Sequence, residues 1–190
     1  MKRLITICAV VGLMLAVLSP ALATTVTLVP STLDVNPGST VDISVNIDVS
    51  SSITMTAIST DFVYDKNVFT YDGTLGATQG ALLTHDWDLL GAQTATLRIG
   101  GIDWFGGGEN FVVGSGTLFT FTLKVSNDAP IGSYDLVWGD AGNGVGFDYG
   151  DENFGDIIPP SFGTSINVVP EPATMCLFGL GSLSLIRRKR

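Results

Sequence analysis

The chain has 190 residues and a net charge of −9, and most of its cations lie at the two ends. The segment 24–168 keeps three cations against 17 acids, a net charge of −14. Such a body lacks the basic surface that nucleic acids and anionic membranes attract, which excludes both as its partners. With 145 residues, it is the size of one domain with a buried core.

The first 23 residues have the pattern of a secretory signal peptide. Lys2 and Arg3 form a basic start, residues 4–18 are apolar, and Ala21 and Ala23 supply a small-x-small cleavage site. We therefore expect export by Sec-type machinery, with the mature protein beginning at Thr24. Both cysteines of the chain lie in the terminal segments, so the segment 24–168 contains no disulfide and must be stabilised by packing.

The body alternates apolar and polar residues with a period of two, which predicts strands with one buried and one solvated face. Val41–Val49 and Phe119–Val125 show this most clearly. In Thr54–Tyr64 the apolar residues of the alternation move from odd-numbered to even-numbered positions between Ala57 and Ile58. This shift predicts a β-bulge or a crossing between sheets. Many short strands between turn residues predict an all-β antiparallel sandwich. The other predicted strands are Thr25–Val29, Val68–Tyr71, Ala95–Ile99, Tyr134–Trp138 and Phe162–Val168.

Three stretches of the body resemble the cohesin domain. The opening Val29–Val41 contains Asn-Pro-Gly before an alternating strand, Asp61–Phe69 contains Tyr-Asp followed by a short turn, and Gly116–Val125 is a glycine-led strand. The resemblance implies a jelly roll of about nine strands over residues 24–168, related to carbohydrate-binding modules. Cellulosomal cohesins bind dockerin modules through one sheet face, but a single such domain beside a sorting tail differs from scaffold proteins that carry many cohesins.

The residues of the body argue against an enzyme. Its only histidine, His85, would have to serve any Ser-His-Asp triad, and the segment 24–168 contains no cysteine for a Cys-His pair. A solvated loop or strand-end position suits this histidine better. A pair of carboxylates for glycoside hydrolysis remains an alternative among 17 acids, although acids this numerous are mostly surface charge. We expect no catalytic residues.

Two tryptophans are candidates for sugar binding. Trp104, followed by Phe105 and three glycines, is the first choice for an exposed platform, and Trp87 is the second. A flat indole face packs against the apolar face of a sugar ring, while nearby Asp or Asn accepts the hydroxyl hydrogens. The alternative for any large aromatic residue is the core.

The segment 140–156 concentrates carboxylates and glycines in what the sequence predicts to be one long loop. Oxygen-rich, flexible loops suit Ca²⁺, and we name Asp148, Asp151 and Glu152 as candidate ligands. The spacing is not that of an EF-hand, and the alternative is a solvated acidic loop. No other cofactor is expected.

The C-terminal segment 169–190 resembles the PEP-CTERM sorting signal of Gram-negative bacteria. It begins with Val-Pro-Glu-Pro, continues with an apolar stretch from 173 to 186 that predicts a short hydrophobic helix, and ends in four cations. The apolar stretch is shorter than the roughly 20 residues of a stable span, so it predicts transient membrane anchorage. The resemblance implies processing by an exosortase-type protease. Its motif residues are Pro170, Glu171, Pro172, Arg187, Arg188, Lys189 and Arg190.

We therefore interpret the chain as an exported, non-enzymatic protein of the outer surface or extracellular matrix that binds polysaccharide. One alternative is protein docking to an exported, dockerin-bearing partner through the cohesin-like sheet face. A second alternative is a polysaccharide-active enzyme. Exposed sheet edges would also permit self-association.

Overall fold

A computed structural model describes residues 24–50, 52–74, 76–83, 87–93, 96–103, 111–112, 114–139, 147–150 and 156–171. The expected signal peptide 1–23, with Ala21 and Ala23, and the expected hydrophobic helix 173–186 lie outside these ranges. Within them, no helix is long and apolar enough to cross a membrane.

The described residues form sixteen strands, several of them only two or three residues long. In chain order they are β1 Thr25–Pro30, β2 Asp34–Val35, β3 Thr40–Asp48, β4 Ile53–Thr54, β5 Ala57–Val63, β6 Phe69–Tyr71, β7 Ala77–Gln79, β8 Trp87–Gln93, β9 Leu97–Asp103, β10 Phe111–Val112, β11 Ser115–Val125, β12 Gly132–Trp138, β13 Phe147–Gly150, β14 Asp156–Ile157, β15 Ser161–Phe162 and β16 Thr164–Val168.

The first sheet has the order β15-β1-β3-β11-β6, with β7 also paired to β11. Its centre is the long antiparallel pair of β3 and β11. Val41, Ile43, Val45 and Ile47 are each at most 1% exposed, while the residues between them face outward. The alternation of β3 in the sequence therefore predicted its two faces correctly, because one face of this sheet is buried and the other is solvated.

The second sheet is centred on β5. One edge of β5 pairs with β9, which in turn pairs with β8, and the other edge is shared between β13 and β12. Beyond β12 the order continues through β16 to β2. Nearly all of these pairings are antiparallel, the exception being the short parallel pair of β16 and β2. Every strand of the described structure thus lies between Thr25 and Val168, within the segment 24–168.

The core lies between the two sheets and is rich in aromatic residues. Phe62 on β5 is fully buried, and its ring centroid lies 4.7 Å from that of Phe121 on β11 and 5.0 Å from that of Trp138 on β12. The contact with Phe121 joins the first sheet to the second. Burial of each such side chain stabilises the fold by about 2–3 kcal/mol.

The predicted β-sandwich is confirmed, but two details were wrong. The predicted strand Thr54–Tyr64 is not continuous but is interrupted at Met55 and Thr56. β4 pairs with β10 in a separate two-stranded ladder while β5 enters the second sheet, which agrees with the predicted crossing between sheets and not with a bulge. The segment 140–156 is not one continuous loop, because Phe147–Gly150 forms β13 and pairs with β5. Both differences arise from pairing with distant strands, which local alternation does not reveal.

Candidate functional site

The outer faces of the two sheets differ in how their polar groups are satisfied. On the first sheet, side chains of β3 and β11 hydrogen-bond to each other in a ladder of cross-strand pairs. The Thr117 hydroxyl donates to Asn46 at 2.8 Å, the Thr122 hydroxyl donates to Asp42 at 2.6 Å, and the Ser44 and Thr120 hydroxyls lie 3.2 Å apart. We call these six residues the β3 face. Each of these six side chains thus has a hydrogen-bond partner within the chain.

The outer face of the second sheet carries exposed apolar side chains. Val63 on β5 and Val137 on β12 are cross-strand neighbours and are 40% and 42% exposed, and Leu90 on β8 is 68% exposed. Together with Asp61 and Arg98 they form what we call the β5 face. Isolated exposed apolar residues are ordinary, but three on one sheet face beside a buried charge form a surface suited to contact with another molecule.

Asp61 is the unusual residue of the β5 face. Its side chain points outward because Thr60 and Phe62, on either side of it, face the core. Asp61 is nevertheless only 1% exposed. Its Oδ2 lies 3.7 Å from the Nε of Arg98, a side chain that is 57% exposed, and its Oδ1 has no hydrogen-bond partner. Buried charges are ordinarily paired and fully hydrogen-bonded, so this oxygen is an unused acceptor.

Gly139 allows the chain to pass close beside Asp61. Its N–H donates to the Asp61 carbonyl at 2.7 Å, which extends the pairing of β5 with β12 by one residue. A Cβ at this position would lie 3.1 Å from Asp61 Cγ and 3.0 Å from Val63 Cγ2. The glycine therefore leaves room for both side chains at the centre of the β5 face.

Two other acids of the same sheet, Asp135 and Asp34, each accept a hydrogen bond from a neighbouring strand. The Ser165 hydroxyl donates to Asp135 Oδ1 at 2.6 Å, and the Asn167 amide donates to Asp34 Oδ1 at 2.9 Å. Asp61 differs from them because it is buried, so that water cannot supply the donor that its Oδ1 lacks, whereas Asp34 and Asp135 are exposed. A hydroxyl, an amide or a cation from another molecule would supply one. The sequence offered a signal for this residue, namely the single charged residue of Ala57–Val63.

The predicted sugar platform at Trp87 was wrong. Trp87 is only 7% exposed and belongs to the hydrophobic core, so its ring presents no free face to a sugar. The reason is that Trp87 begins a strand, with its side chain on the inner side of the sheet. Trp104 and His85 lie outside the described residues, and the platform at Trp104 stays a prediction.

The described structure does not test the predicted Ca²⁺ ligands, which stay a prediction. The backbone of Asp148 lies in β13, whereas Asp151 and Glu152 lie outside the described residues. Among the described residues, no group of three His, Cys, Asp or Glu side chains is arranged to hold a metal ion. Of the predicted sorting-motif residues, Pro170 and Glu171 lie within the described ranges. Pro172, Arg187, Arg188, Lys189 and Arg190 lie outside them.

Comparison with known families identifies two matching regions. The family model described as "Cohesin domain" matches residues 26–153, and the model described as "PEP-CTERM protein-sorting motif" matches residues 168–190. The first match spans about two thirds of the chain, and the second covers the C-terminal segment singled out in the sequence. A search of curated proteins found no match.

Solved structures share the fold at low sequence identity. CaCohA2 from Clostridium acetobutylicum is 24% identical, with a TM-score of 0.60, covering 76% of this chain and 91% of its own. The sixth cohesin of scaffoldin B from Acetivibrio cellulolyticus, solved in complex with a dockerin, is 14% identical, with a TM-score of 0.62 and coverage of 77% and 99%. A non-cellulosomal cohesin from the archaeon Archaeoglobus fulgidus is 17% identical, with a TM-score of 0.55 and coverage of 80% and 96%.

Proposed function

The chain belongs to the cohesin family, and from this premise we propose that it is an exported docking module that holds a partner protein on the β5 face. The observation that carries the proposal is Asp61, whose buried carboxylate keeps one oxygen without a donor. The exposed side chains of Val63 and Val137 beside it supply apolar contact area. A central polar anchor surrounded by apolar contacts is the usual composition of a protein-binding hot spot.

The partner is a protein of dockerin type. The similar scaffoldin B cohesin is solved in complex with a dockerin, as is a similar cohesin from Clostridium thermocellum. A partner segment that lays apolar residues over Val63 and Val137 removes both valines from water. The Oδ1 of Asp61 is closed to solvent in the free module, so the side chains around it must shift before a hydroxyl or cationic donor of the partner can reach it and satisfy the acceptor. Such a contact requires binding alone and no catalysis.

Protein docking accounts for the β5 face better than polysaccharide binding does. Trp87 is buried and offers no stacking platform, and among the described residues no aromatic side chain belongs to the exposed large hydrophobic residues of this face. Sugar recognition depends on such rings together with several hydrogen-bonding groups. The β5 face instead combines aliphatic side chains with one buried acceptor. The sugar-binding interpretation therefore gives way to docking.

The location of the module follows from its C-terminal segment. The PEP-CTERM match supports export to the cell envelope of a Gram-negative bacterium and processing by an exosortase-type enzyme. With a signal peptide at residues 1–23, the body 24–168 would be delivered beyond the inner membrane and held there by the C-terminal helix until the segment is processed. An envelope-attached docking module would recruit its partner to that surface.

The test is capture of the partner from the envelope fraction of the producing organism. The purified segment 24–168 is compared with its Asp61→Asn variant and with Asp42→Asn. The last is a matched control, because Asp42 is an acid on the β3 face whose Oδ1 accepts a hydrogen bond from Thr122. We expect one stoichiometric, dockerin-like protein with wild type and with Asp42→Asn. Asp61→Asn should reduce affinity about 10- to 100-fold, because a hydrogen bond to a charged group contributes about 1.5–3 kcal/mol.

Two outcomes would contradict the proposal. Equal capture by the Asp61→Asn variant and by wild type would remove the β5 face as the docking surface. Recovery of polysaccharide in place of protein would restore the sugar-binding alternative. Bound sugars and proteins are therefore both analysed.

A further inference from the structure

The sheet continues almost to the start of the C-terminal apolar stretch. β16 pairs with β12 on one side and with β2 on the other, up to Val168. The pairing reaches one residue further, because the N–H of Val169 donates to the Val35 carbonyl at 2.8 Å. Only residues 170–172 then separate the sheet from the apolar stretch 173–186. The body is therefore joined to its expected membrane anchor by three residues.

Three loops lie at the end of the sandwich where the chain leaves the sheet. We call them the exit rim, which comprises residues 36–39, 65–68 and 126–131. Backbone hydrogen bonds join the three loops, since the N–H of Gly38 donates to the Ser126 carbonyl at 3.3 Å and the N–H of Ser126 donates to the Val68 carbonyl at 2.8 Å. The third loop adjoins the exit point, because Gly132, the next residue, pairs with Val168.

The exit rim is nearly neutral and carries a strongly exposed apolar residue. Its charged residues are Asp65, Lys66 and Asp128, so one cation and two acids give it a net charge of −1, against −14 for the segment 24–168. Ile131, the last residue of the rim, is 66% exposed. A surface of this kind approaches lipid headgroups without the repulsion that the rest of the acidic body would meet at an anionic surface.

The three connecting residues limit how far the exit rim can stand from a bilayer. Four steps lead from Val169 to Ala173, and even a fully extended chain covers at most about 14 Å in four residues. When Ala173 lies at the edge of the hydrocarbon, the headgroup layer takes up about 5–7 Å of that distance. Val169 is then at most about 9 Å above the headgroups. The loops around it must lie at the membrane surface.

The shortness of the apolar stretch tightens this contact. Its 14 residues rise about 21 Å as a helix, roughly 9 Å less than the hydrocarbon core. The four terminal cations hold its far end at the opposite surface. The shortfall is met by local thinning of the bilayer or by drawing the connecting residues inward. Both responses bring the exit rim closer to lipid.

We propose that the exit rim is a membrane-contact surface, held with Ile131 against the lipid headgroups while the C-terminal segment is anchored. This contact rests on the anchorage proposed for residues 169–190. A bilayer is the occupant because the short connection places lipid at the rim permanently, whereas any other molecule must arrive by diffusion. The connection supplies the contact, so the free segment 24–168, with its charge of −14, is not expected to bind vesicles.

The contact orients the docking surface. β5 runs toward the exit rim, because Val63 lies two residues before Asp65. Leu90 lies level with Ser59, since both pair with Gly100, and Ser59 is six residues, about 20 Å, from Asp65 along the strand. The β5 face therefore rises from the bilayer, with Val63 near the lipid and Leu90 far from it. A docking partner must approach from the side, along the membrane.

Quenching by lipid measures which part of the body touches the bilayer. Residues 24–190, with Cys176→Ser to remove the single cysteine of that segment, are reconstituted in phosphatidylcholine vesicles that contain a headgroup-nitroxide lipid. A fluorophore is attached to Ile131→Cys or, as the matched control, to Leu90→Cys, because these side chains are 66% and 68% exposed. We expect the label at position 131 to lose most of its fluorescence and the label at position 90 to lose little.

A longer connection provides the second variant. Twenty glycine and serine residues inserted after Val169 have a root-mean-square span of about 25 Å, so quenching at position 131 should fall to the level at position 90. Equal quenching at both positions in the original chain, quenching at neither, or quenching at position 131 that the insertion leaves unchanged would overturn the proposal.

Vesicle flotation of the same protein separates the possible failures. A protein that does not float refutes the anchorage, and with it the contact of the exit rim. A protein that floats without selective quenching at position 131 refutes the contact alone. The capture experiment for docking uses the segment 24–168 without its tail, so neither result bears on the β5 face.

Discussion

Replacement of Asp61 by Asn should stabilise the fold while weakening partner binding. The Asp61 carboxylate is 1% exposed, and its Oδ1 has no hydrogen-bond partner. An unsatisfied buried polar group costs about 1–3 kcal/mol, and more when charged. The compensation from Arg98 is small, because that side chain is mostly exposed and its Nε lies 3.7 Å away. Removal of the charge in a side chain of the same shape should therefore raise the free energy of unfolding by about 1 kcal/mol.

The assay is thermal unfolding of the segment 24–168 at pH 7, read by calorimetry. For a domain of this size, about 1 kcal/mol corresponds to a rise in Tm of roughly 3 °C. Asp42→Asn serves as the control and should leave Tm nearly unchanged, because an amide oxygen can still accept the hydrogen bond from Thr122. A clear fall in Tm for Asp61→Asn would refute the reasoning, since it would mean that the carboxylate stabilises the fold. A residue that costs stability but serves binding is expected at functional sites.

Three further predictions concern the core, alkaline pH and calcium. Phe62→Ala should lower the free energy of unfolding by about 3–5 kcal/mol in urea titration, because its buried ring joins the two sheets, and a loss below about 1.5 kcal/mol would contradict this. Burial raises the pKa of Tyr64 to about 12 from 10.0, so stability present below pH 10 is lost as pH rises toward 12. That loss is at most about 1 kcal/mol at pH 11, and it should be smaller in Tyr64→Phe when melting is compared at pH 9 and pH 11. If Asp148, Asp151 and Glu152 bind Ca²⁺, calorimetric titration will give heat and Tm will rise, and the absence of both effects would remove this site.

The sequence predicted the strands that have one buried and one solvated face. In β3, alternation of valine and isoleucine with polar residues reports directly which side chains enter the core. β8 was missed because Leu90, Gly91 and Ala92 are all exposed, so an edge strand of this kind shows no alternation. Its position is determined by pairing with β9, a contact that only the folded structure defines.

The candidate site was less accessible from the sequence than the fold. Asp61 falls within the predicted strand Thr54–Tyr64 and the cohesin-like stretch Asp61–Phe69, but neither pattern reveals that its side chain is buried beside Arg98 and Gly139, which are distant along the chain. Trp87 was misassigned because composition does not reveal whether an aromatic ring enters the core. The sorting segment was identified correctly, since its order of motif, apolar stretch and cations is contiguous and needs no tertiary context.

Photo-cross-linking from the two sheet faces tests the central claim most directly. A benzoylphenylalanine residue replaces Val137 on the β5 face in one variant and Val29 on the outer side of β1 in another. The two valines are 42% and 43% exposed, so they are equally accessible to a passing molecule. After irradiation in the envelope of the producing organism, the account predicts one protein adduct from position 137 and none from position 29. Adducts of equal yield from both positions, or only from position 29, would contradict docking on the β5 face.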